Sequence, residues 1–453
     1  DASGNPTTSY VPSCLTTDNS VPSGCGTLPF PAVLWEFTDG VGASQLDEDK
    51  NGYPDLGQTW SVPTIARIKV IEGGAQVDKF VAIFGGGMDA DNKTSTKRGN
   101  WLYMVDVETG KTIYKRALVG AAPADPAVLD KNQDGYLDTI YIGTIAGFMY
   151  KVDISSTATL QNVTLAINQA VPALAAATTV KRITDTAWDP FPIFDTGGRP
   201  IYLTATPFYV VKLSRYALAF GTGDRENLWN LDNQVGRFYL IVDDNFTTGG
   251  AGLPKTESNY QALDVNAGDV SASSDFVTSP PSGKSKGWFI TLTANERVIT
   301  QTFGLSGIII FSSYQPQDTA VDGVCALGGT SHLFVVFASN GNSVSTVGGT
   351  STRFRVVSNF VTNPYTESGV TKNPPGQGGA GGGGGNNNNN QTAGSGCDDA
   401  TQQEIVAAAK KMFPKSCKFA NYTVRVNGLN QNTGQVCYAT IPLCIVEANW
   451  KEN

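Results

Sequence analysis

Short runs of β-branched and aromatic residues, broken by glycine or aspartate turns, set the hydrophobic pattern of this chain. A first unit reads Ser61-Val-Pro-Thr-Ile-Ala, then Phe80-Val-Ala-Ile-Phe-Gly-Gly-Gly, then Trp101-Leu-Tyr-Met-Val-Asp-Val-Glu-Thr-Gly-Lys. A second reads Ala124-Asp-Pro-Ala-Val-Leu, Thr139-Ile-Tyr-Ile-Gly-Thr and Gly147-Phe-Met-Tyr-Lys-Val-Asp. A third reads Ala205-Thr-Pro-Phe-Tyr-Val-Val, Tyr216-Ala-Leu-Ala-Phe-Gly-Thr-Gly and Arg237-Phe-Tyr-Leu-Ile-Val-Asp. A looser fourth runs from Thr302 through Gly307-Ile-Ile-Ile-Phe-Ser-Ser to His332-Leu-Phe-Val-Val-Phe. Such runs predict strands, with glycine supplying the unusual backbone angles of the turns. The stretch 106–111 predicts a tight hairpin turn. Repeated units that cannot each bury their own faces predict the blades of a β-propeller, about seven of them. A pair of β-sandwiches is the other architecture for this pattern. The insertions 154–190 and 243–286 are expected to hang off as loops, with one helix in the Ala-rich stretch from Leu160 to Val180.

The pattern changes after residue 373. Residues 374–396 are Pro-, Gly- and Asn-rich, cannot bury apolar surface, and predict a flexible tether. Beyond it, Ile405, Ala408, Ala409 and Met412 fall at helical spacing before Pro414, with Asp398 or Asp399 as the cap. The runs at 422–426 and 436–441, around an Asn-rich turn, predict a hairpin. So small a unit needs staples, and Cys397, Cys417, Cys437 and Cys444 supply two disulfides in any of three connectivities. The expected organisation is an N-terminal segment at 1–29 with a Cys14–Cys25 loop, a propeller at 30–373, the linker at 374–396 and a four-cysteine domain at 397–453. The expected fold class is thus all-β, a propeller plus a small disulfide-stapled α+β C-terminal domain.

Composition narrows the function. Of 453 residues only 16% are charged, and the net charge of −8 gives no footprint for a phosphate backbone, so nucleic acid is excluded as the expected partner. No apolar run reaches the 18 residues of a membrane-spanning helix. Asp1 to Ser9 has neither a basic start nor an apolar stretch, so a signal peptide is expected to be removed or to lie further upstream. Seven cysteines without a Cys-x-x-Cys spacing, Cys325 the odd one, point to disulfides and an oxidising compartment. The one histidine, His332, sits inside an apparent strand and reads as an ordinary strand residue. With no second histidine, a His-based metal centre or triad has little to work with, and the chain reads as a binding module rather than an enzyme.

Two loops carry the candidate chemistry. Asp130-Lys-Asn132-Gln-Asp134-Gly135-Tyr136-Leu-Asp138 places hard oxygen donors at positions 1, 3, 5 and 9, glycine at 6 for the sharp turn, and the Tyr136 carbonyl at 7. Carboxylates crowded into one tight turn repel, and a Ca²⁺ ion relieves them. Asp47-Glu-Asp49-Lys-Asn51-Gly52-Tyr53-Pro-Asp55 repeats the spacing within a longer polar stretch. Position 12 of the Asp130 motif is Tyr141 rather than Glu, so that motif is read as a short loop joining two strands and not as a helix–loop–helix hand.

The ordered series of motifs resembles the C-terminal propeller domain of the PilY family of type IV pilus biogenesis and tip-adhesin proteins. The resemblance is carried by Leu56-Gly-Gln-Thr-Trp-Ser-Val-Pro63, Val81-Ala-Ile-Phe-Gly-Gly-Gly87, Trp101-Leu-Tyr-Met-Val-Asp-Val-Glu-Thr-Gly110, Ala124-Asp-Pro-Ala-Val and the 130–138 loop. It continues through Gly147–Asp153, Phe220-Gly-Thr-Gly-Asp224, Gly287-Trp-Phe to Asn295-Glu-Arg-Val298, and Cys325–Leu333, covering roughly residues 30–360. It implies a modified propeller whose nine-residue loop, here Asp130–Asp138, binds Ca²⁺. It also implies pilus assembly, control of extension and retraction, and surface adhesion. Minor pilins or a pilus-tip complex, and a host or abiotic surface, are the implied partners. The implied location is the pilus tip or outer cell surface, reached through the periplasm. The Asp47–Asp55 loop and the four-cysteine tail lie outside that family pattern. The alternatives are a quinoprotein-like propeller enzyme, disfavoured because no two cysteines are adjacent, and a polysaccharide-acting propeller, disfavoured because only two calcium motifs occur.

Overall fold

The computed structural model describes residues 35–41, 44–89, 97–165, 178–267, 269–305, 307–316 and 329–343, with the strand segments 354–358, 365–368, 418–420, 422–425, 428–429, 436–437 and 443–445. Helix among them is limited to three 3₁₀ turns, at Thr186–Trp188, Val211–Leu213 and Glu257–Asn259. The chain divides into two compact units, residues 1–144 with 150–191, and residues 145–149 with 192–453.

In the first unit, Gly40–Val41 (β1) and Ser44–Gln45 (β2) form a small antiparallel pair. Thr64–Glu72 (β3), Ala75–Gly85 (β4), Trp101–Asp106 (β5) and Thr112–Ala117 (β6) pair in succession, all antiparallel. The C-terminal half of β4 and the whole of β5 are buried on both sides. That double burial is why their sequences are continuous apolar runs rather than alternating ones. Phe84 and Tyr103 stack at 5.4 Å between ring centres, and Phe37 meets both edge-on. The 106–111 turn forms as expected: the Gly110 N–H bonds the Asp106 carbonyl at 2.8 Å, with Gly110 at φ 67°. Ala127–Leu129 (β7) and Thr139–Gly143 (β8) pair antiparallel on either side of the 130–138 loop, and Phe148–Asp153 (β9) follows.

The stretch from Leu160 to Val180 is not helical at either end. Ala158–Leu165 (β10) and Thr178–Ile183 (β11) pair antiparallel, from Leu160 opposite Ile183 to Leu165 opposite Thr178. β10 also lies parallel to β3. The alternation of Ala158 and Leu160 inward against Thr159 and Gln161 outward is strand grammar, and the alanines on which the expected helix rests, within 166–177, lie outside the described residues. The insertion therefore extends the sheet instead of hanging off it. β11 returns to β6, where the Arg182 guanidinium donates to the Thr112 carbonyl.

Phe191–Asp195 (β12) leads into the second unit. There Thr206–Val210 (β13), Arg215–Gly221 (β14), Arg237–Val242 (β15), Gln261–Asp264 (β16) and Gly287–Thr291 (β17) form one sheet in the order β13-β14-β15-β17-β16. Only β16 with β17 is parallel in it, so the 243–286 insertion also contributes a strand. Arg297–Val298 (β18), Phe303–Leu305 (β19), Ile308–Pro316 (β20), Gly329–Phe337 (β21) and Phe354–Ser358 (β22) form the next. Phe238, Phe311 and Phe334 stack face to face at 3.7 and 4.4 Å, joining β15, β20 and β21 in one core.

Near the C-terminus, Tyr422–Arg425 pairs with Tyr365–Ser368 rather than with the following strand. The expected hairpin is narrower, Gly428–Leu429 opposite Val436–Cys437. The helix expected near 405–412, the 374–396 tether, the N-terminal cysteine loop and all cysteine side chains lie outside the described residues.

Candidate metal centre

Both nine-residue loops fold the same way. In each, the first aspartate accepts two backbone N–H groups: Asp47 from Asn51 and Gly52, both at 3.0 Å, and Asp130 from Asp134 at 3.2 Å and Gly135 at 2.7 Å. The fifth residue bonds the seventh N–H at 2.9 Å, Asn51 to Tyr53 and Asp134 to Tyr136. The ninth carboxylate reaches back to the second N–H, Asp55 to Glu48 at 2.7 Å and Asp138 to Lys131 at 2.8 Å. Position 4 is left-handed in both, Lys50 and Gln133 at φ 61°, and the glycine at position 6 is at φ 87° and 84°. The turn is thus fixed by backbone geometry at its middle, and the side-chain oxygens are gathered by N–H groups of the same turn. The seventh-position tyrosine lies under a cation in each, Lys97 at 4.6 Å from the Tyr53 ring and Lys69 at 3.6 Å from the Tyr136 ring.

The loops differ in how tightly they gather charge. Asp47 and Asp55 are buried and Asp49 is exposed, and their nearest carboxylate oxygens all lie within 4.8 Å of one another. Among the described residues this is the one group of three acidic side chains so gathered. Burial pushes the Asp55 carboxyl up to about 6, even with Lys115 pulling it down. Burial likewise raises Asp49, and the neighbouring Asp47 adds to the rise. Asp55 Oδ1 is buried and has no hydrogen-bond partner. An orphaned acceptor beside two further carboxylates fits a hard cation such as Ca²⁺. In the other loop Asp138 is buried, Asp130 and Tyr136 are half-buried, and Asn132 and Asp134 are exposed. The expected positions Asp47, Asp49, Asn51, Tyr53 and Asp55 share one turn and Asp130, Asn132, Asp134, Tyr136 and Asp138 another, and among the described residues only Asp47, Asp49 and Asp55 gather three carboxylates within 4.8 Å.

A feature absent from the motif stands behind the first loop. Lys115 on β6 is wholly buried and donates to Asp55 Oδ2 at 2.6 Å, Asp39 Oδ2 at 2.8 Å and Glu48 Oε1 at 3.1 Å. Burial works against its ammonium, but the three carboxylates outweigh it and hold the group above its ordinary pKa. Tyr103 donates to Asp39 at 2.9 Å, and Arg182 approaches Glu48 at 3.4 Å. Sequence reasoning missed Lys115, Asp39 and Tyr103 because they lie 60 to 76 positions from their partners in this network. The available signal was a lysine inside the apolar strand run Thr112-Ile-Tyr-Lys-Arg.

In the second unit, His332 on β21 is buried, with Nδ1 2.8 Å from Glu296 Oε1. Ser313 donates to the same oxygen, and the Thr293 N–H and hydroxyl donate to Oε2 at 2.9 and 2.6 Å.

Residues 26–277 match the family model described as PilY1 beta-propeller domain. This chain belongs to the PilY1 β-propeller family. The PilY1 match spans both candidate loops and most of the described strands. The chain is 23% identical over 319 residues to the Pseudomonas aeruginosa protein named type IV pilus biogenesis factor PilY1, covering 63% of this chain and 25% of that one. It is 27% identical over 341 residues to the PilY1 homolog of Xylella fastidiosa, covering 69% of this chain and 20% of that one. The chain thus spans a quarter or less of the length of these curated relatives. Among solved structures it is similar to the crystal structure of the P. aeruginosa PilY1 C-terminal domain, with 16% identity, a TM-score of 0.47, and coverage of 72% of this chain and 71% of that one.

Proposed function

We propose that the chain is a calcium-binding PilY1-type propeller module, displayed outside the cell, that works in type IV pilus biogenesis. The observation that carries this reading is the family match over residues 26–277, within which the two carboxylate loops sit. Ca²⁺ is held by Asp130, Asn132, Asp134, Asp138 and the Tyr136 carbonyl in one loop. In the other it is held by Asp47, Asp49, Asn51, Asp55 and the Tyr53 carbonyl. The ions fix two polar turns of the first unit as a docking surface for a pilus component, minor pilins first among candidates. Control of extension and retraction, adhesion to a host or abiotic surface, and placement at the pilus tip belong to the same proposal. The chain acts by binding rather than by catalysis. No helix among the described residues is long and apolar enough to cross a membrane.

Calcium calorimetry on the full chain, with Asp130→Ala and Asp47→Ala as single variants, tests the metal reading. Two sites in the parent, each lost with one substitution, supports it, whereas no uptake at about 10 mM Ca²⁺ overturns it. Piliation of a strain whose own PilY1-type protein carries Asp130→Ala tests the cellular role, and normal surface pili and motility would overturn it.

A further inference from the structure

We infer that Lys115 sets the calcium affinity of the Asp47–Asp55 loop, as a resident internal cation that occupies one oxygen of the ninth-position carboxylate and leaves the other for the metal. This rests on reading that loop as a calcium site.

The geometry divides the Asp55 carboxylate between two tasks. Oδ2 accepts the Lys115 ammonium at 2.6 Å and the Glu48 N–H at 2.7 Å. Oδ1 is buried and has no hydrogen-bond partner, and Asp47, Asp49 and Asp55 each offer a carboxylate oxygen within 4.8 Å of the others. Lys115 cannot leave when a metal arrives. Its side chain is 0% exposed, it is tied to Asp39 and Glu48 as well, and it lies 4.7 Å from the Trp101 ring and 5.5 Å from the Tyr103 ring. The lysine at the other loop is placed differently. Lys69 meets Asp134 at 3.7 Å, and the two side chains are 33% and 42% exposed, so this ammonium can swing into water as calcium binds.

Two consequences follow from a fixed positive charge beside a cation site. The first loop keeps its shape without metal, because Lys115 neutralises some of the charge that would otherwise drive the acids apart. It also binds calcium more weakly than its carboxylates alone would allow, since the two cations repel across a partly dry space. Removing Lys115 should therefore tighten calcium binding while destabilising the metal-free chain. A residue with only a packing role would weaken both.

The test is calorimetry on the full-length Asp134→Ala chain, in which the first loop alone titrates, with and without Lys115→Met, alongside melting in EDTA. The expected result is calcium binding at least tenfold tighter in Lys115→Met, with a lower melting temperature in EDTA and a larger rise on adding calcium. Unchanged or weaker binding overturns the inference. Should Lys115→Met fail to fold even with calcium, Glu48→Gln decides. It removes a non-ligand competitor for the ammonium, draws Lys115 further onto Asp55, and should weaken calcium binding at least threefold, while an unchanged affinity overturns the inference. If Asp134→Ala with Lys115 intact takes up no calcium, the metal reading of the loop fails and the affinity role falls with it. That outcome is distinct from binding that ignores Lys115.

Discussion

Some buried carboxylates in this chain are held by side chains distant in sequence, as Glu296 is by His332. Glu296 is wholly buried, which alone would raise its pKa, yet the bonds from His332, Ser313 and Thr293 bring it below the usual carboxylate value. A carboxylate whose folded pKa is depressed contributes stability above its unfolded pKa, here near 4.5, and loses it as pH falls through the lower folded value. The melting temperature should therefore fall as the pH drops below about 4.5, and Glu296→Gln should flatten that region of the profile. At neutral pH the same substitution should cost about 2 kcal/mol, because buried donors lose their acceptor. In the first loop, Asp47→Ala removes a buried acceptor of two N–H groups and should cost about 2 kcal/mol in EDTA, whereas exposed Asp49→Ala should stay within about 0.5 kcal/mol. Urea unfolding of both variants checks this ordering. The two polar turns were legible because one short stretch carries the glycine and the aspartates of each. Lys115 and Asp39 were not, since only the folded sheet places β6 behind the loop.

At the scale of elements, glycines that share a backbone conformation differ in what surrounds them. Gly87 and Gly135 sit at φ 90° and 84°. A Cβ on Gly135 would meet nothing within 4 Å, but on Gly87 it would fall 1.9 Å from the Gln58 carbonyl oxygen. Gly135→Ala should thus cost only the left-handed strain, about 1 kcal/mol. Gly87→Ala must also push its own backbone away from that of Gln58, and should cost at least about 3 kcal/mol. Denaturant midpoints of the two variants test the difference. Strands were the most legible elements, because doubly buried runs such as Val81–Gly85 and Trp101–Asp106 stand out from any polar background. The β10–β11 pair was not anticipated, because only the four residues Ala158–Gln161 alternate and the Ala-rich residues that follow suggested a helix. Its pairing with β3 is a contact between strands 88 positions apart, Ala158 opposite Val70, which local pattern cannot reveal. The C-terminal pairing of 365–368 with 422–425 was hidden for the same reason, since the linker separates the two.

For the whole molecule, both candidate loops belong to the first unit, and so should the response to metal. Calcium at a hundredfold excess over its dissociation constant adds about 2.7 kcal/mol per site. EDTA should therefore lower the melting of the first unit while leaving the second nearly unchanged. Hydrogen exchange at Tyr103 and Ile140 in the first unit, against Leu240 and Ile310 in the second, distinguishes the two. Equal loss of protection in both units would count against metal sites confined to these loops.

The return of β11 to β6 has a consequence for how copies of the chain meet one another. An open sheet leaves a row of unpaired N–H and C=O groups at each margin, a template on which a second copy of the chain can polymerise. Here β10 covers the free side of β3, and Arg182 brings the last strand of the sheet to the Thr112 carbonyl on its opposite margin. A sheet drawn toward closure offers neighbouring copies little to zip onto. Copies of the chain at high local concentration are then expected to stay separate rather than fuse into aggregates of their own.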